Sequence, residues 1–411
     1  MERVVGTRER IAWCLNDVAN SAFSLVMVTA FLPVYFRQGI AEGMEPGRAD
    51  ALWGYAVSSS MVIVALTSPI LGALADRRAW RKRLLTLYTV LGVLATGAWF
   101  SVEPGQIAMG LALYILANVM YEGSLVFYDA LLPGLVTPDR LGRWSGYGWS
   151  MGYLGSLGCL AFALTLVKGG QALWVFPLVA GWWGLWSLPI VTLVREPPAV
   201  SKGNPDWGVW RQLRETVARI RRNPDLARFF IAFFLYNDGI ATTIAFAGLY
   251  ATQTLGFSAE ETIVLIGGVQ VTGALGAFVT GHLADRFGHA RMIVVTLVGW
   301  IGLMIVTYFV TSQAVFWGVA LGVGLIMGAT QSASRGFLAA IAGDAAGELF
   351  GFKAVAGKFS AVLGPLVFGV VSQATGDQRP ALLAVGVFFV AGLGLMLRVD
   401  ERRALLAEST D

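Results

Sequence analysis

Apolar runs of roughly 20 residues recur from one end of this chain to the other, and each is long enough to cross a bilayer as a helix. Of the 411 residues, 56% are hydrophobic and 14% are charged, whereas a soluble domain carries about 25% charged residues. The sequence therefore predicts an all-α polytopic membrane protein and excludes a soluble globular domain.

The apolar runs predict twelve membrane spans. We place them at 11–36, 53–75, 84–101, 106–132, 145–167, 173–194, 228–252, 261–283, 292–310, 314–340, 349–374 and 380–398. Because twelve is an even number, both termini fall on the same side of the membrane.

The positive charges are distributed unevenly between the two sides. Of the 30 Lys and Arg residues, 23 fall on the side of the termini, four fall on the opposite side and three lie within spans. Cytoplasmic loops carry the excess of Lys and Arg. We therefore expect both termini in the cytoplasm, in a protein of the plasma (inner) membrane of a bacterium.

The chain contains an internal duplication. The segment "GALADRRAWRK" from Gly72 is repeated as "GHLADRFGHAR" from Gly281, at an offset of 209 residues, and "GYGWSMGY" from Gly146 is repeated as "GFKAVAGK" from Gly351, at an offset of 205. Parallel six-span repeats are a known transporter architecture, with the substrate site between the halves.

The duplication predicts two pseudo-symmetric six-helix bundles, 1–194 and 228–411, joined by a cytoplasmic linker, 195–227. Within the linker, "DWGVWRQLRETVARIRR" carries an apolar stripe and five arginines. That pattern fits a basic amphipathic helix on an anionic lipid surface, and it fits a solvated connector equally well.

Two six-helix repeats with a "GxLaDRxG"-like loop motif resemble the major facilitator superfamily. The second copy of the motif extends to Gly288, whereas the first has Ala79 in place of that glycine and a basic pair shifted to Arg81-Lys82. The resemblance covers the whole chain and implies the major facilitator fold.

A finer resemblance connects the chain with the vacuole-effluxer-like permeases. It rests on "DVANSAF" in span 1, "YNDG" in span 7, "GATQSASRGFLAAI" in span 10 and "FGFKAVAGKFSAVLGPLVFG" in span 11. The best-known members of that branch export amino acids from fungal vacuoles, so the resemblance implies transport of a small solute.

An ionisable residue inside a membrane span costs free energy, so its presence indicates a functional role. Away from their ends, the spans contain seven: Asp17, Glu122, Asp129, Asp238, Arg335, Lys353 and Lys358. Away from their ends, spans 3, 6, 9 and 12 contain none. By resemblance, spans 1, 4, 7 and 10 line the central cavity of major facilitators, and these four spans hold five of the seven residues.

The polar residues of span 1 recur in span 7. Asp17 and Asn20 share a helical face, and Asn16-Asp17 is repeated as Asn237-Asp238 at an offset of 221 residues. We expect these residues to face a wet cavity and to contact the substrate. The alternative is that the two aspartates only hydrogen-bond neighbouring helices and stabilise closure of the halves.

Glu122 is the deepest acid, near the middle of span 4. Burial raises the pKa of a carboxyl group and makes it a possible proton carrier. We predict that Glu122 couples proton movement to transport, the alternative being a structural acid.

The remaining charges lie in spans 4, 10 and 11. Asp129 and Arg335 occupy similar places in spans 4 and 10, and Gln331 extends the polar face of Arg335. A pair between Asp129 and Arg335 would tie the halves together, whereas an unpaired Arg335 would suit a substrate carboxylate. Lys358 suits an anionic group, and we expect Lys353 to extend to the cytoplasmic surface.

The duplicated loop motif predicts a conformational gate made of Asp76, Arg77, Asp285 and Arg286. The aspartates can cap helix N-termini and pair with nearby arginines. The alternative is that they only fix short loops.

Together these features predict a secondary active transporter that moves a small polar or zwitterionic solute, such as an amino acid, by alternating access. A drug or lipid exporter on the same fold is the alternative. The sequence lacks HExxH, GxSxG and P-loop motifs, so we expect no enzyme activity. We predict no cofactor, no metal and no nucleic acid partner, and a monomer in contact with the lipid bilayer.

Overall fold

The computed structural model describes residues 5–196, 209–342, 345–360 and 363–409. Within these ranges the chain is helical, with no β-strand. Twelve helices or helix runs are long and apolar enough to cross a membrane: Thr7–Ile40, Gly47–Arg78, Arg81–Ser101, Ile107–Leu135, Pro138–Lys168, Ala172–Leu193, Pro224–Thr252, Glu260–Phe287, His289–Phe309, Gln313–Ala342, Ala346–Thr375 and Gln378–Met396. They are called spans 1 to 12 below.

The predicted twelve spans are confirmed, but most helices extend beyond the predicted bounds. Span 1 begins at Thr7 instead of residue 11 and ends at Ile40 instead of residue 36. Hydropathy detects only the apolar part of a helix, whereas hydrogen bonding continues through charged residues such as Glu9 and Arg10. Gly6 and Glu9 form a capping arrangement that fixes the start of the helix.

Spans 1, 7 and 11 contain π-helix or an interruption. Span 1 is α-helical over Thr7–Ala22 and π-helical over Phe23–Phe31 and again over Phe36–Ile40. A π-helical turn, Tyr250–Thr254, overlaps the end of span 7. Span 11 is divided into the helices Ala346–Phe359 and Leu363–Thr375. Such irregularities in membrane-spanning helices occur frequently at functional sites.

Two further helices lie outside the twelve spans, one before span 7 and one after span 12. The linker helix, Val209–Arg222, lies within the predicted amphipathic segment, so the helix is confirmed and its contact with lipid stays a prediction. The C-terminal helix, Glu401–Ser409, follows span 12. Residues 197–208 of the predicted linker lie outside the described residues.

The chain forms two compact units. Unit 1 comprises Met1–Val136, Met151–Trp210 and Asp344–Ala354, and unit 2 comprises Thr137–Ser150, Arg211–Gly343 and Val355–Asp411. Each unit therefore includes a short segment from the opposite half of the sequence, namely the start of span 11 in unit 1 and the start of span 5 in unit 2. The predicted division into bundles 1–194 and 228–411 stays a prediction.

Candidate functional site

The first loop motif joins span 2 to the start of span 11 inside unit 1. Asp76 accepts hydrogen bonds from the backbone N–H groups of Gly347 and Glu348 at 2.9 and 3.0 Å. Its Oδ1 also lies 2.6 Å from Nε of Arg81. The carboxylate therefore caps the N-terminus of a helix from the other half of the sequence, where negative charge is favourable.

The second loop motif makes the equivalent contacts inside unit 2, between spans 8 and 5. Asp285 accepts from the backbone N–H of Gly142 at 2.8 Å and from that of Arg143 at 3.2 Å. Its Oδ2 also lies 3.3 Å from Nε of Arg143. A Cβ on Gly142 would lie 2.6 Å from the carbonyl oxygen of Gly281, so the helices approach closely because both residues are glycines.

The structure shows which nearby arginines meet the two aspartates. Arg81 lies on Asp76 and Arg143 lies on Asp285, whereas Arg77 and Arg286, the arginines of the predicted gate, each directly follow an aspartate. A side chain that follows its neighbour by one residue on a helix points about 100° away from it, so it does not share the capping face. The gating role of the motif stays a prediction.

The polar residues of span 1 are buried within unit 1 and do not face water as predicted. Asp17 is 4% exposed and Asn20 is 2% exposed. A Cβ on Gly152 of span 5 would lie 3.3 Å from Cβ of Asp17. The missing side chain at Gly152 lets spans 1 and 5 approach and removes Asp17 from solvent. Glu122, on span 4, is only partly buried.

An ion pair joins spans 4 and 11 in unit 1. Nζ of Lys353 lies 3.2 Å from Oδ2 of Asp129, and the two side chains are 16% and 14% exposed. A partly buried carboxylate therefore holds the ammonium group of Lys353, and the extension of Lys353 to the cytoplasmic surface stays a prediction. The predicted pairing of Asp129 with Arg335 stays a prediction, because the two residues belong to different units.

Arg335 lies in the interior of unit 2, where it contacts the start of span 5. Its Nε lies 3.1 Å from Oγ of Ser145, and its Nη2 donates to the carbonyl oxygen of Ser145 at 2.7 Å. Its guanidinium group lies 5.0 Å from the ring centroid of Trp149. Arg335 is 1% exposed, whereas Gln331, one turn before it, is partly exposed. The substrate-contact and gate roles of Arg335 stay predictions.

Asp238 lies where span 11 is divided, in unit 2. Its two carboxylate oxygens accept the backbone N–H of Gly364 at 3.0 and 2.9 Å. Gly364 is the second residue of the helix Leu363–Thr375. One residue before Asp238, Nδ2 of Asn237 donates to Oγ of Ser360 at 2.7 Å. Two adjacent side chains of span 7 therefore bind span 11 on either side of its division.

Lys358 lies next to this division. It is the penultimate residue of the helix Ala346–Phe359 and is partly buried. A Cβ on Gly357 would lie 3.9 Å from Nδ2 of Asn237, so this turn of span 11 lies close to span 7. The structure thus places Asn237 and Asp238, within unit 2, close to the turn of span 11 that contains Lys358.

Sequence reasoning missed the division of span 11 and the contribution of Ser360. The signal was present, because Gly364-Pro365 follows Ser360 by four residues. Proline favours the first turn of a helix, where its missing N–H costs nothing. We read this segment as one continuous apolar run, and hydropathy alone does not separate one helix from two.

The comparison with protein families shows which family the chain belongs to. The sequence profile described as "Vacuole effluxer Atg22 like" matches residues 46–144 and 141–408. The chain belongs to this family. The Atg22-like match confirms the resemblance stated above, and it covers the segments in spans 7, 10 and 11.

Relatives of the chain are found in bacteria and fungi. The "Uncharacterized MFS-type transporter YxiO" of Bacillus subtilis (strain 168) is 29% identical over 410 residues, which cover 96% of this chain and 95% of that protein. The Autophagy-related protein 22-1 of Penicillium rubens is 24% identical over 445 residues, which cover 85% of this chain and 75% of that protein.

Solved structures confirm the major facilitator fold. The human organic anion transporter MFSD10 (TETRAN) has a TM-score of 0.74 and 16% identity, with 95% of this chain and 99% of that chain covered. The proton:xylose symporter XylE has a TM-score of 0.76 and 13% identity, with 96% and 95% covered. This Atg22-like protein is therefore an integral membrane transporter of the major facilitator superfamily, and it is not an enzyme.

Proposed function

We propose that this protein is a secondary active transporter of a small polar or zwitterionic solute, such as an amino acid, and that it works by alternating access. The observation that carries the proposal is the division of span 11 beside Asp238, Asn237 and Lys358. Divided helices with polar side chains at the break form the substrate sites of many secondary transporters.

The charged side chains beside the division of span 11 suit a zwitterion. Asp238 supplies a carboxylate that could accept an ammonium group, and Lys358 supplies an ammonium group that could bind a carboxylate. Both lie within unit 2 on adjacent elements, spans 7 and 11. A charged side chain inside a membrane protein indicates a functional site, and side chains of both signs suit a molecule that carries both charges.

The alternative of a drug or lipid exporter has less support. Aromatic side chains would suit an amphipathic molecule. The aromatic residues considered for that role are buried: Trp13, Tyr121, Phe127, Tyr128 and Tyr236. Trp13 and Tyr128 stack on each other with ring centroids 4.6 Å apart, so the two faces in contact are closed to a ligand.

The remaining parts of the mechanism follow from the loop motifs and the buried acids. We infer that Asp76 and Asp285, with Arg81 and Arg143, hold helices of opposite sequence halves together in one conformation and release them in the other. Glu122, partly buried on span 4, is the proposed proton carrier. The uneven distribution of Lys and Arg supports cytoplasmic termini in a bacterial inner membrane.

A ligand screen on the purified protein tests the proposal. A solute that binds the folded state raises its thermal stability. We expect stabilisation by amino acids or related zwitterions, with the shift reduced in Asp238→Asn and in Lys358→Gln. The matched control is Lys168→Gln, an exposed lysine at the end of span 5. Stabilisation by amphipathic molecules alone would instead favour the exporter, and uptake into proteoliposomes would then decide between them.

A further inference from the structure

One face of span 8 is apolar and exposed over most of the length of the helix. Val264, Val271, Leu275 and Phe278 are all exposed, and their spacing of seven, four and three residues places them on a single helical stripe. A face that borders water favours polar side chains, whereas a face that borders acyl chains favours apolar ones. This stripe of span 8 is therefore suited to the acyl chains of the bilayer.

The same stripe ends in polar side chains. His282 and Arg286 follow Phe278 at intervals of four residues, so the three side chains lie one above another on the last turns of the helix. Arg286 is exposed, and its guanidinium group lies 5.2 Å from the ring centroid of Phe287, which is also exposed. Within the part of the chain that the structure describes, no carboxylate forms an ion pair with Arg286.

The neighbouring charges of spans 5 and 8 are paired with one another. Asp285 lies 3.3 Å from Nε of Arg143 and also accepts the backbone N–H of span 5 described above. Arg140 lies 3.4 Å from Asp139. These two pairs are neutral, so Arg286 leaves one uncompensated positive charge at this end of the two spans.

Span 5 contributes two aromatic side chains to the end of the stripe. The hydroxyl group of Tyr147 lies 3.1 Å from Nε2 of His282, and Nδ1 of His282 donates to the carbonyl oxygen of Phe278 at 2.9 Å. The ring of Trp144, one turn earlier in span 5, lies 5.4 Å from that of Tyr147, and both are partly exposed. Trp and Tyr side chains concentrate at the level of the lipid head groups, so this end of the stripe is suited to that level.

We propose that Arg286 binds the phosphate group of an anionic phospholipid whose acyl chains lie along Leu275 and Phe278. A guanidinium group matches a phosphate through parallel N–H···O hydrogen bonds. The uncompensated charge selects an anionic head group, because a zwitterionic head group carries a cation of its own. Dissolved phosphate shares the chemistry of the head group but offers nothing to the apolar part of the stripe.

The repeat-related positions of span 2 do not reproduce this surface. At the offset of 209 residues the arginine is retained as Arg77, but Pro69 and Ala73 stand in place of Phe278 and His282. Ala73 is buried. Unit 1 therefore forms without the aromatic and histidine side chains of the stripe, which indicates that the fold does not require them in unit 2.

Thermal unfolding and native mass spectrometry of the detergent-purified protein test the proposal. The micelles contain phosphatidylglycerol or phosphatidylcholine with the same acyl chains at equal mole fraction, and a third sample contains inorganic phosphate without lipid. We expect phosphatidylglycerol to raise the Tm above the phosphatidylcholine value by about 2–4 °C in a saturable manner. Mass spectra of the wild type should show retained phosphatidylglycerol, a measurement that does not depend on any variant folding. Arg286→Gln should weaken phosphatidylglycerol binding about fivefold.

Arg77→Gln is the matched control, because it removes an exposed arginine from the repeat-related position. It should leave the difference in Tm between the two lipids unchanged. A difference that is lost in Arg286→Gln and kept in Arg77→Gln supports the proposal. Equal Tm values in the two lipids, equal losses in the two variants, or the same shift with inorganic phosphate alone would overturn it. Lipid binding does not depend on the proposed transport function, so failure here leaves the zwitterion hypothesis untouched.

Discussion

The carboxylate of Asp238 accepts the backbone N–H of Gly364 with both oxygens, at 2.9 and 3.0 Å. The repeat partner of Asp238 in the first half, Asp17, instead packs against Gly152 of an undivided helix, Leu141–Lys168. The two repeat-related aspartates, Asp17 and Asp238, therefore make different contacts. Of the two, only Asp238 caps a helix that begins within a span, and this asymmetry supports the substrate-binding proposal for unit 2.

Substitution of Asp238 separates its capping role from its charge. Asp238→Ala should lower the free energy of unfolding by about 0.5–2 kcal/mol, because the N–H of Gly364 loses its acceptor. Asp238→Asn keeps an acceptor oxygen and should remain close to the wild type in stability, while binding of a zwitterionic solute falls. Thermal unfolding and ligand-induced shifts of the three proteins provide the test. Equal destabilisation by Asn and Ala would contradict the capping role.

The two copies of the loop motif differ at one backbone position. Gly288 ends its helix with a φ of +94°, and the corresponding Ala79 ends its helix with a φ of +50°. Left-handed backbone costs a residue with a Cβ roughly 1–2 kcal/mol. Ala79→Gly should therefore stabilise the protein by up to about 1 kcal/mol, since part of the gain is offset by greater freedom of the unfolded chain.

Gly288→Ala is the reciprocal substitution, and it should destabilise the protein. An alanine at that position would have to adopt the strained φ, and its Cβ would lie 3.1 Å from Oε2 of Glu401. Chemical or thermal unfolding of both variants measures the effect. A Tm for Ala79→Gly below that of the wild type would show that the left-handed conformation carries no strain at this position.

The sequence predicted the fold well because the constraint on each span is simple. A lipid-spanning helix needs about 20 apolar residues, and a duplication is visible as repeated motifs such as those at Asp76 and Asp285. The partners of individual polar groups were less predictable, because they depend on which helices approach closely. Gly152 brings span 5 against Asp17, and Gly347 brings span 11 against Asp76, but nothing in hydropathy indicates which glycine meets which helix.

The C-terminal helix makes a pH-dependent contact with the start of span 9. Glu401 accepts from Nδ1 of His289 at 2.8 Å and from the backbone N–H of Ala290 at 3.0 Å. Burial would raise the pKa of the Glu401 carboxyl, but the hydrogen bond and charge of His289 and the N–H of Ala290 outweigh it, and the pKa is lowered from its ordinary value.

A lowered pKa in the folded state means that folding favours the ionised carboxylate. The stabilisation is fully present above the ordinary pKa of a glutamate and is lost as the pH falls through the lowered value. Glu401→Gln should therefore lower the Tm at neutral pH, and the difference from the wild type should shrink as the solution is acidified. Thermal unfolding across an acidic pH series measures this. A difference in Tm that stays constant or grows on acidification would contradict a lowered pKa for the Glu401 carboxyl.

The ion pair between Asp129 and Lys353 is largely shielded from solvent, with side chains 14% and 16% exposed, and should behave more like a buried pair than a surface pair. Removal of one partner leaves an uncompensated charge, so Asp129→Leu or Lys353→Met alone should cost about 3–5 kcal/mol, whereas the double variant should recover most of that loss. The exposed pair of Arg37 and Asp50, with side chains 52% and 59% exposed, is the matched control. Its substitution should change stability by less than about 1 kcal/mol after solvent screening. If Lys353 instead reached the membrane surface, its single variant would resemble that control and the double variant would show no recovery.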